Sequence, residues 1–122
     1  MEPLRILLVE NDLDILHVIE VLLQMDGHTV TCAVSYNEGL KLIEKEKFDI
    51  VITDWRMPGM SGLHLLEMAK YIQPKMPVIV MSAYHSNELE DEAHRRHVDA
   101  IIKKPFELAD LTALMEKVTQ VK

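Results

Sequence analysis

Short apolar runs alternate with longer amphipathic ones five times along the chain. The short runs are mostly β-branched, and several are apolar on both faces, which is typical of strands in a parallel sheet that is covered on both sides. They predict five strands, β1 to β5, at residues 6–9, 29–34, 50–52, 78–81 and 100–102.

The segments between these strands carry apolar residues at helical spacing. They predict helices α1 to α5 around residues 15–23, 37–47, 63–72, 87–96 and 108–118. The two clearest stripes, each expected to face the sheet, are Ile15, Val18, Ile19, Leu22 and Leu23 in α1 and Leu108, Leu111, Leu114, Met115 and Val118 in α5.

Five βα units in succession predict an α/β fold with a doubly wound parallel sheet and right-handed crossovers. The length of 122 residues corresponds to one domain, so we expect residues 1–122 to fold around a single sheet. Asp26 and Gly27 are expected to end α1, because glycine suits the left-handed position after a helix.

Composition and charge restrict the function. The net charge of −7 argues against sequence-independent binding to nucleic acid or to an anionic membrane. Cys32 is the only cysteine, so neither an internal disulfide nor a cysteine-rich zinc site can form. No apolar run exceeds four residues, and the amino terminus lacks the features of a signal peptide. We therefore expect a cytoplasmic protein.

Polar residues follow four of the predicted strands. In a doubly wound sheet, ligands bind outside the carboxyl ends of the strands, so these residues are candidates for chemistry. They are Glu10, Asn11 and Asp12 after β1, Thr53 and Asp54 after β3, Ser82 after β4, and Lys103 and Lys104 after β5.

Two of these carboxylates need a cation. Glu10 and Asp54 at about 4 Å would repel by about 4 kcal/mol at an effective dielectric of ~20, so a proton, Lys104 or a metal ion must lie between them. Mg²⁺ suits oxygen ligands and commonly binds phosphate together with one or two carboxylates. A carboxylate can attack phosphorus and form an aspartyl phosphate, and Asp54 is the candidate nucleophile.

Three motifs carry a family resemblance. The segment Asp54-Trp55-Arg56-Met57-Pro58-Gly59-Met60-Ser61-Gly62, with Ser82-Ala83 and Lys104-Pro105-Phe106, resembles the receiver domain of two-component response regulators. The resemblance covers essentially the whole chain. It implies a flavodoxin-like three-layer (βα)₅ sandwich with five parallel strands in the order 2-1-3-4-5.

The resemblance also implies a role for each matching residue. Asp54 would accept a phosphoryl group in a reaction that needs Mg²⁺ or Mn²⁺. Ser82 and Lys104 would bind the phosphoryl oxygens, and the Lys104-Pro105 peptide is often cis in such domains. The implied metal ligands are Glu10, Asn11, Asp54 and the backbone carbonyl of Arg56, with Asp12 as a further candidate that would act through water.

The implied partners are proteins. The phosphoryl donor would be the phosphohistidine of a sensor histidine kinase or of a phosphotransfer protein, and a downstream effector protein or domain would bind the face formed by α4, β5 and α5. A homodimer through that face is compatible with the sequence but not required by it. The domain itself would bind neither nucleic acid nor membrane, and it would be no enzyme beyond self-catalysed phosphotransfer and dephosphorylation.

Two residues depart from the family pattern. Asn11 stands where a carboxylate usually contacts the metal, so Mg²⁺ should bind more weakly without being excluded. Ile101 in β5 stands where the family often has Tyr or Phe, so rotation of an aromatic ring cannot be the signal in its usual form.

Two alternatives follow. The domain could be a receiver-like interaction module that has lost regulated phosphorylation because of Asn11. A flavin mononucleotide carrier of the same fold is disfavoured, since Glu10 and Asp12 would repel a phosphate that arrives without a metal.

Overall fold

The computed structural model describes residues 2–56, 61–83 and 86–120. Within them, five strands and five helices alternate as predicted. No helix in these ranges combines the length and apolarity needed to span a membrane. The elements are β1 Arg5–Val9, α1 Leu13–Met25, β2 Thr29–Ala33, α2 Tyr36–Lys45, β3 Ile50–Asp54, α3 Gly62–Ile72, β4 Val78–Ser82, α4 Asn87–Arg95, β5 Ala100–Lys103 and α5 Leu108–Gln120.

The strands form one parallel sheet in the order β2-β1-β3-β4-β5, which confirms the predicted fold class and strand order. Helices cover both faces of the sheet. Leu7 and Val9 of β1 pack on the side of α2, α3 and α4, whereas Ile6 and Leu8 pack on the side of α1 and α5. All four side chains are fully buried, which explains why this strand is apolar on both faces.

The packing of helix α1 was predicted only in part. Leu16, Ile19 and Leu23 face the sheet, whereas Ile15 and Val18 of the predicted stripe are exposed, Val18 by 56%. The predicted and observed stripes share Ile19 and Leu23, and the helix is so rich in apolar residues that either Ile15 or Leu16 extends them at helical spacing. The position of the helix on the sheet decides between the two.

Helix caps determine how the chain leaves the carboxyl edge of the sheet. Asp12 caps α1, because its side chain accepts hydrogen bonds from the backbone of Asp14 and Ile15. Ser35, Ser61 and Ser86 cap the starts of α2, α3 and α4 in the same way. At the other end of α1, Gly27 adopts a φ of +95°, the left-handed conformation expected of it.

Candidate functional site

Three of the candidate residues at the carboxyl edge of the sheet are buried in spite of their polar side chains. Glu10 is 1% exposed, Asp54 9% and Ser82 2%. Strands β3 and β4 run further than predicted, so Asp54 and Ser82 are their last residues and share the rigidity of the sheet. Burying two carboxylates is unfavourable unless a cation and hydrogen bonds compensate them.

The ammonium group of Lys104 lies between the two carboxylates. Its Nζ donates to Glu10 Oε1 at 2.5 Å and lies 3.1 Å from Asp54 Oδ1. Lys103, the neighbouring lysine, is exposed. The structure therefore places Lys104, and not Lys103, between the carboxylates, and brings together residues from the ends of β1, β3 and β5.

One ammonium does not offset two carboxylates, and the side-chain pKa values reflect this. Burial raises the pKa of Asp54 and the charge of Glu10 raises it further, while the hydrogen bond from Lys104 lowers it; the pKa remains above its ordinary value. Burial opposes the charge on Lys104, but its contacts with Glu10 and Asp54 outweigh that effect and raise its pKa. Lys104 is therefore a permanent cation at neutral pH, beside a net negative charge.

The loop after β1 completes the acidic side of the site. The backbone N–H of Asp12 donates to Glu10 Oε2 at 3.0 Å, which fixes the Glu10 carboxylate from the side opposite Lys104. Asp12 Oδ1 accepts hydrogen bonds from the backbone N–H groups of Asp14 and Ile15 at the start of α1. Asn11, between them, is exposed.

The donor chemistry of the site fits a hard divalent cation. Glu10 and Asp54 already converge on one cation, the Lys104 ammonium, and Asn11 supplies an uncharged oxygen nearby in sequence. Within the described ranges, no three His, Cys, Asp or Glu side chains form a metal-binding group. The ligand set that the resemblance implies contains two carboxylates as direct ligands, those of Glu10 and Asp54, and would be completed by amide and carbonyl oxygens.

Ser82 and Lys104 are joined through the backbone. The Lys104 N–H donates to the Ser82 carbonyl at 2.7 Å, so the loop after β5 is tied to the end of β4. The Lys104-Pro105 peptide is cis, as the resemblance implies. Both side chains therefore belong to the edge that carries Asp54.

The loop after Asp54 is described only in part. Met57, Pro58, Gly59 and Met60 of the motif lie outside the described residues. Arg56 pairs with Ser61 in an antiparallel bridge, and its guanidinium lies 4.9 Å from the centre of the Trp55 ring.

Tyr36 is a residue of the site that the sequence analysis missed. It is buried at the start of α2, and its hydroxyl lies 3.2 Å from the Asp54 carbonyl oxygen and 3.1 Å from that of Trp55. Burial raises the pKa of Tyr36, with contributions from the charges of Asp54 and Glu10, so its hydroxyl remains a donor. The end of β2 was the one strand end not searched for polar residues, and Tyr36 follows it by three positions.

Comparison with known proteins identifies the family of this chain. The family model described as response regulator receiver domain matches residues 6–116. The chain is 35% identical over 106 residues to the transcriptional regulatory protein GlrR of Escherichia coli, covering 87% of this chain and 24% of that protein. It is 34% identical over 109 residues to the DNA-binding transcriptional regulator NtrC of Salmonella typhimurium, covering 89% of this chain and 23% of that protein. The chain thus spans about a quarter of the length of these relatives.

The solved structures agree with this result. A CheY-like response regulator receiver domain from Methanospirillum hungatei superimposes with a TM-score of 0.93 at 33% identity, covering 98% of this chain and 95% of that one. A receiver domain from Clostridium thermocellum gives a TM-score of 0.87 at 31% identity, with 95% and 94% of the two chains covered. The chain belongs to the response regulator receiver domain family.

Proposed function

We propose that this receiver domain accepts a phosphoryl group on Asp54 and that the phosphorylated form changes its affinity for a partner protein. The observation that carries this proposal is the position of Lys104 Nζ between two buried carboxylates, one of which is the last residue of β3. Such an arrangement keeps a reactive carboxylate beside a fixed positive charge at a strand end, where ligands of doubly wound sheets bind.

The chemistry assigns a role to each side chain. A carboxylate oxygen of Asp54 attacks phosphorus, a new P–O bond forms, and the P–N bond of the donor phosphohistidine breaks with its electron pair returning to the imidazole. Lys104 is already within reach of Asp54 Oδ1 and would pair with a phosphoryl oxygen. Ser82 would donate its hydroxyl proton to a second one.

A divalent cation fits the remaining charge. Glu10, Asn11, Asp54 and the Arg56 carbonyl would hold Mg²⁺ or Mn²⁺, with Asp12 contributing through water. When bound, the ion offsets the negative charge of the transferring phosphoryl group. Glu10, held by the Asp12 N–H and by Lys104, would present its carboxylate without reorganising.

The partners follow from the family. We propose a sensor histidine kinase or phosphotransfer protein as donor and an effector protein or domain as receiver of the signal, in the cytoplasm. The output would pass through the face of α4, β5 and α5, and a homodimer could use the same face. The domain would catalyse no reaction beyond its own phosphorylation and dephosphorylation.

A second candidate function rests on Asn11. If the loss of one acidic ligand makes metal binding too weak for phosphoryl transfer, the domain would bind its partner constitutively. Both candidate functions share the fold and the site, so only a measurement of phosphorylation distinguishes them.

Incubation with Mg²⁺ and a small-molecule phosphodonor, followed by intact-protein mass spectrometry, distinguishes the two candidates. We expect a mass increase of about 80 Da, the mass of one phosphoryl group, which disappears in Asp54→Asn. Asp99→Asn, which changes a carboxylate at the opposite edge of the sheet, should retain the increase. Absence of the adduct in the unmodified protein would favour the constitutive interaction module.

A further inference from the structure

Tyr36 contacts the backbone of the phosphoacceptor strand, not its side chain. Its hydroxyl lies 3.2 Å from the carbonyl oxygen of Asp54 and 3.1 Å from that of Trp55. Consecutive carbonyls of an extended strand point in opposite directions. Their convergence on one hydroxyl therefore requires the chain to turn directly after Asp54, and the Tyr36 hydroxyl reaches both carbonyl oxygens because of this turn.

Two further groups hold the same turn. Thr53 Oγ1 donates to the Asp54 carbonyl at 3.1 Å, and the Gly62 N–H donates to the Trp55 carbonyl at 2.7 Å. A Cβ atom at Gly62 would lie 2.2 Å from the Asp54 carbonyl oxygen, so the start of α3 approaches the turn as closely as a glycine allows. The turn is thus held between α2 and α3.

The turn connects two parts of the proposed site. Asp54 precedes it, and the backbone carbonyl of Arg56, a proposed metal ligand, follows it. A shift of the Trp55 peptide would move that carbonyl relative to the Asp54 carboxylate. Octahedral Mg²⁺ tolerates little change in ligand position, so the geometry of the turn bears directly on metal binding.

We propose that Tyr36 is a positioning residue, whose hydroxyl fixes the turn after Asp54 and thereby sets the distance between the phosphoacceptor carboxylate and the Arg56 carbonyl. The metal-dependent part of this inference rests on the proposed function. The structural part does not, because it concerns hydrogen bonds to backbone carbonyl oxygens that require no metal ion.

The variant Tyr36→Phe removes the oxygen and retains the buried ring. In metal-free protein, we expect the Gly62 amide hydrogen to exchange about five- to tenfold faster, because the carbonyl that it bonds loses its second constraint. In phosphorylation assays, the Mg²⁺ concentration for half-maximal rate should rise about three- to tenfold while the maximal rate changes less. Trp55, the only tryptophan of the chain, reports Mg²⁺ binding independently through its fluorescence.

Two controls separate positioning from general stability. Tyr71→Phe makes the same chemical change at a residue of α3 that is 82% exposed, and it should alter none of these measurements. Ile43→Val removes one buried methyl group of α2 and should lower stability without changing the Mg²⁺ dependence.

The outcomes are distinguishable. If the unmodified protein accepts no phosphoryl group, the proposed function fails, and the exchange of Gly62 still decides whether Tyr36 fixes the turn. Unchanged Gly62 exchange in Tyr36→Phe overturns the inference. So does an equal shift of the Mg²⁺ dependence in Tyr36→Phe and Ile43→Val, since that result would make the role of Tyr36 merely structural.

Discussion

The two edges of the sheet use carboxylates in opposite ways. At the amino edge, Asp99 Oδ2 accepts from the Val78 N–H at 2.7 Å and from Lys70 Nζ at 2.6 Å. One carboxylate thus has one ammonium and one backbone donor, and its side chain remains 30% exposed. In this arrangement the carboxylate and the ammonium compensate each other, and the Asp99 carboxylate links β4 to α3.

At the carboxyl edge, Glu10 and Asp54 share the single ammonium of Lys104. Both carboxylates are buried, and the surplus negative charge has no partner among the three. Carboxylates paired with a lysine therefore stabilise the fold at the amino edge. At the carboxyl edge they leave a negative charge that favours binding of a further cation. Buried charge that is left uncompensated points to function, because it costs stability.

The largest expected difference between the edges concerns the lysines. Lys104→Met should slow phosphoryl uptake about 100-fold or more, since it removes a donor aimed at the transferring group. Lys70→Met should leave the uptake rate unchanged. The rate is measured as phosphoryl content against time. Equal rates in the two variants would show that Lys104 takes no part in phosphoryl transfer.

The same pair of variants differs in stability. Lys104→Met leaves two buried carboxylates without a cation and should lower the free energy of unfolding by about 2–3 kcal/mol at neutral pH. This loss of stability should become smaller at acidic pH, where the Glu10 and Asp54 carboxylates become protonated. Lys70→Met breaks a more accessible pair and should cost about 1 kcal/mol. Urea denaturation at neutral and acidic pH measures both.

The next effect concerns Asn11, one of the two residues that depart from the family pattern. Asn11→Asp restores a carboxylate and should tighten Mg²⁺ binding about tenfold, because a charged oxygen ligand replaces a neutral one. Titration calorimetry or Trp55 fluorescence provides the measurement. Unchanged affinity would show that residue 11 does not contact the metal.

The smallest effect is on stability as a function of pH. The folded-state pKa of Asp54 is raised, so between the unfolded value near 3.9 and the folded value the native state binds more protons than the unfolded chain. Stability attributable to Asp54 is thus present below this window and is lost as the pH rises through it. Asp54→Asn should abolish this loss and be about 1 kcal/mol more stable than the unmodified protein at pH 7, with the difference vanishing near pH 4.

Asp99→Asn is expected to change the stability at pH 7 in the opposite direction. It breaks an ion pair that is fully compensated, so it should lower stability at pH 7 by about 1 kcal/mol. If both Asp variants destabilise the protein equally, the proposed difference between the two edges is wrong.

The sequence predicts the fold and the chemistry of the site through different signals. Strands such as β1 are recognisable because a doubly covered strand must be apolar on both faces. In α1, Ile19 and Leu23 were predicted correctly, but Ile15 and Leu16 both fit the helical spacing, and only packing against the sheet selects Leu16. Local pattern contains no information on that choice.

Within the site, the three motifs pointed to Asp54, Ser82 and Lys104 as candidates, and the structure places all three at the carboxyl edge of the sheet. Tyr36 was missed since its contacts are with carbonyl oxygens eighteen and nineteen residues away, and no motif marks them. The sequence left open whether a proton, a metal ion or Lys104 lies between Glu10 and Asp54, and the structure places the Lys104 ammonium there.

The central claim, that Asp54 is the nucleophile, is tested most directly by locating the phosphoryl group. Borohydride reduces an aspartyl phosphate to homoserine, which tandem mass spectrometry places in the sequence. After treatment with Mg²⁺ and a phosphodonor, the account predicts homoserine at position 54 alone, in the unmodified protein and in Asp99→Asn. Homoserine at another carboxylate, or a phosphoryl group recovered on histidine, would contradict it.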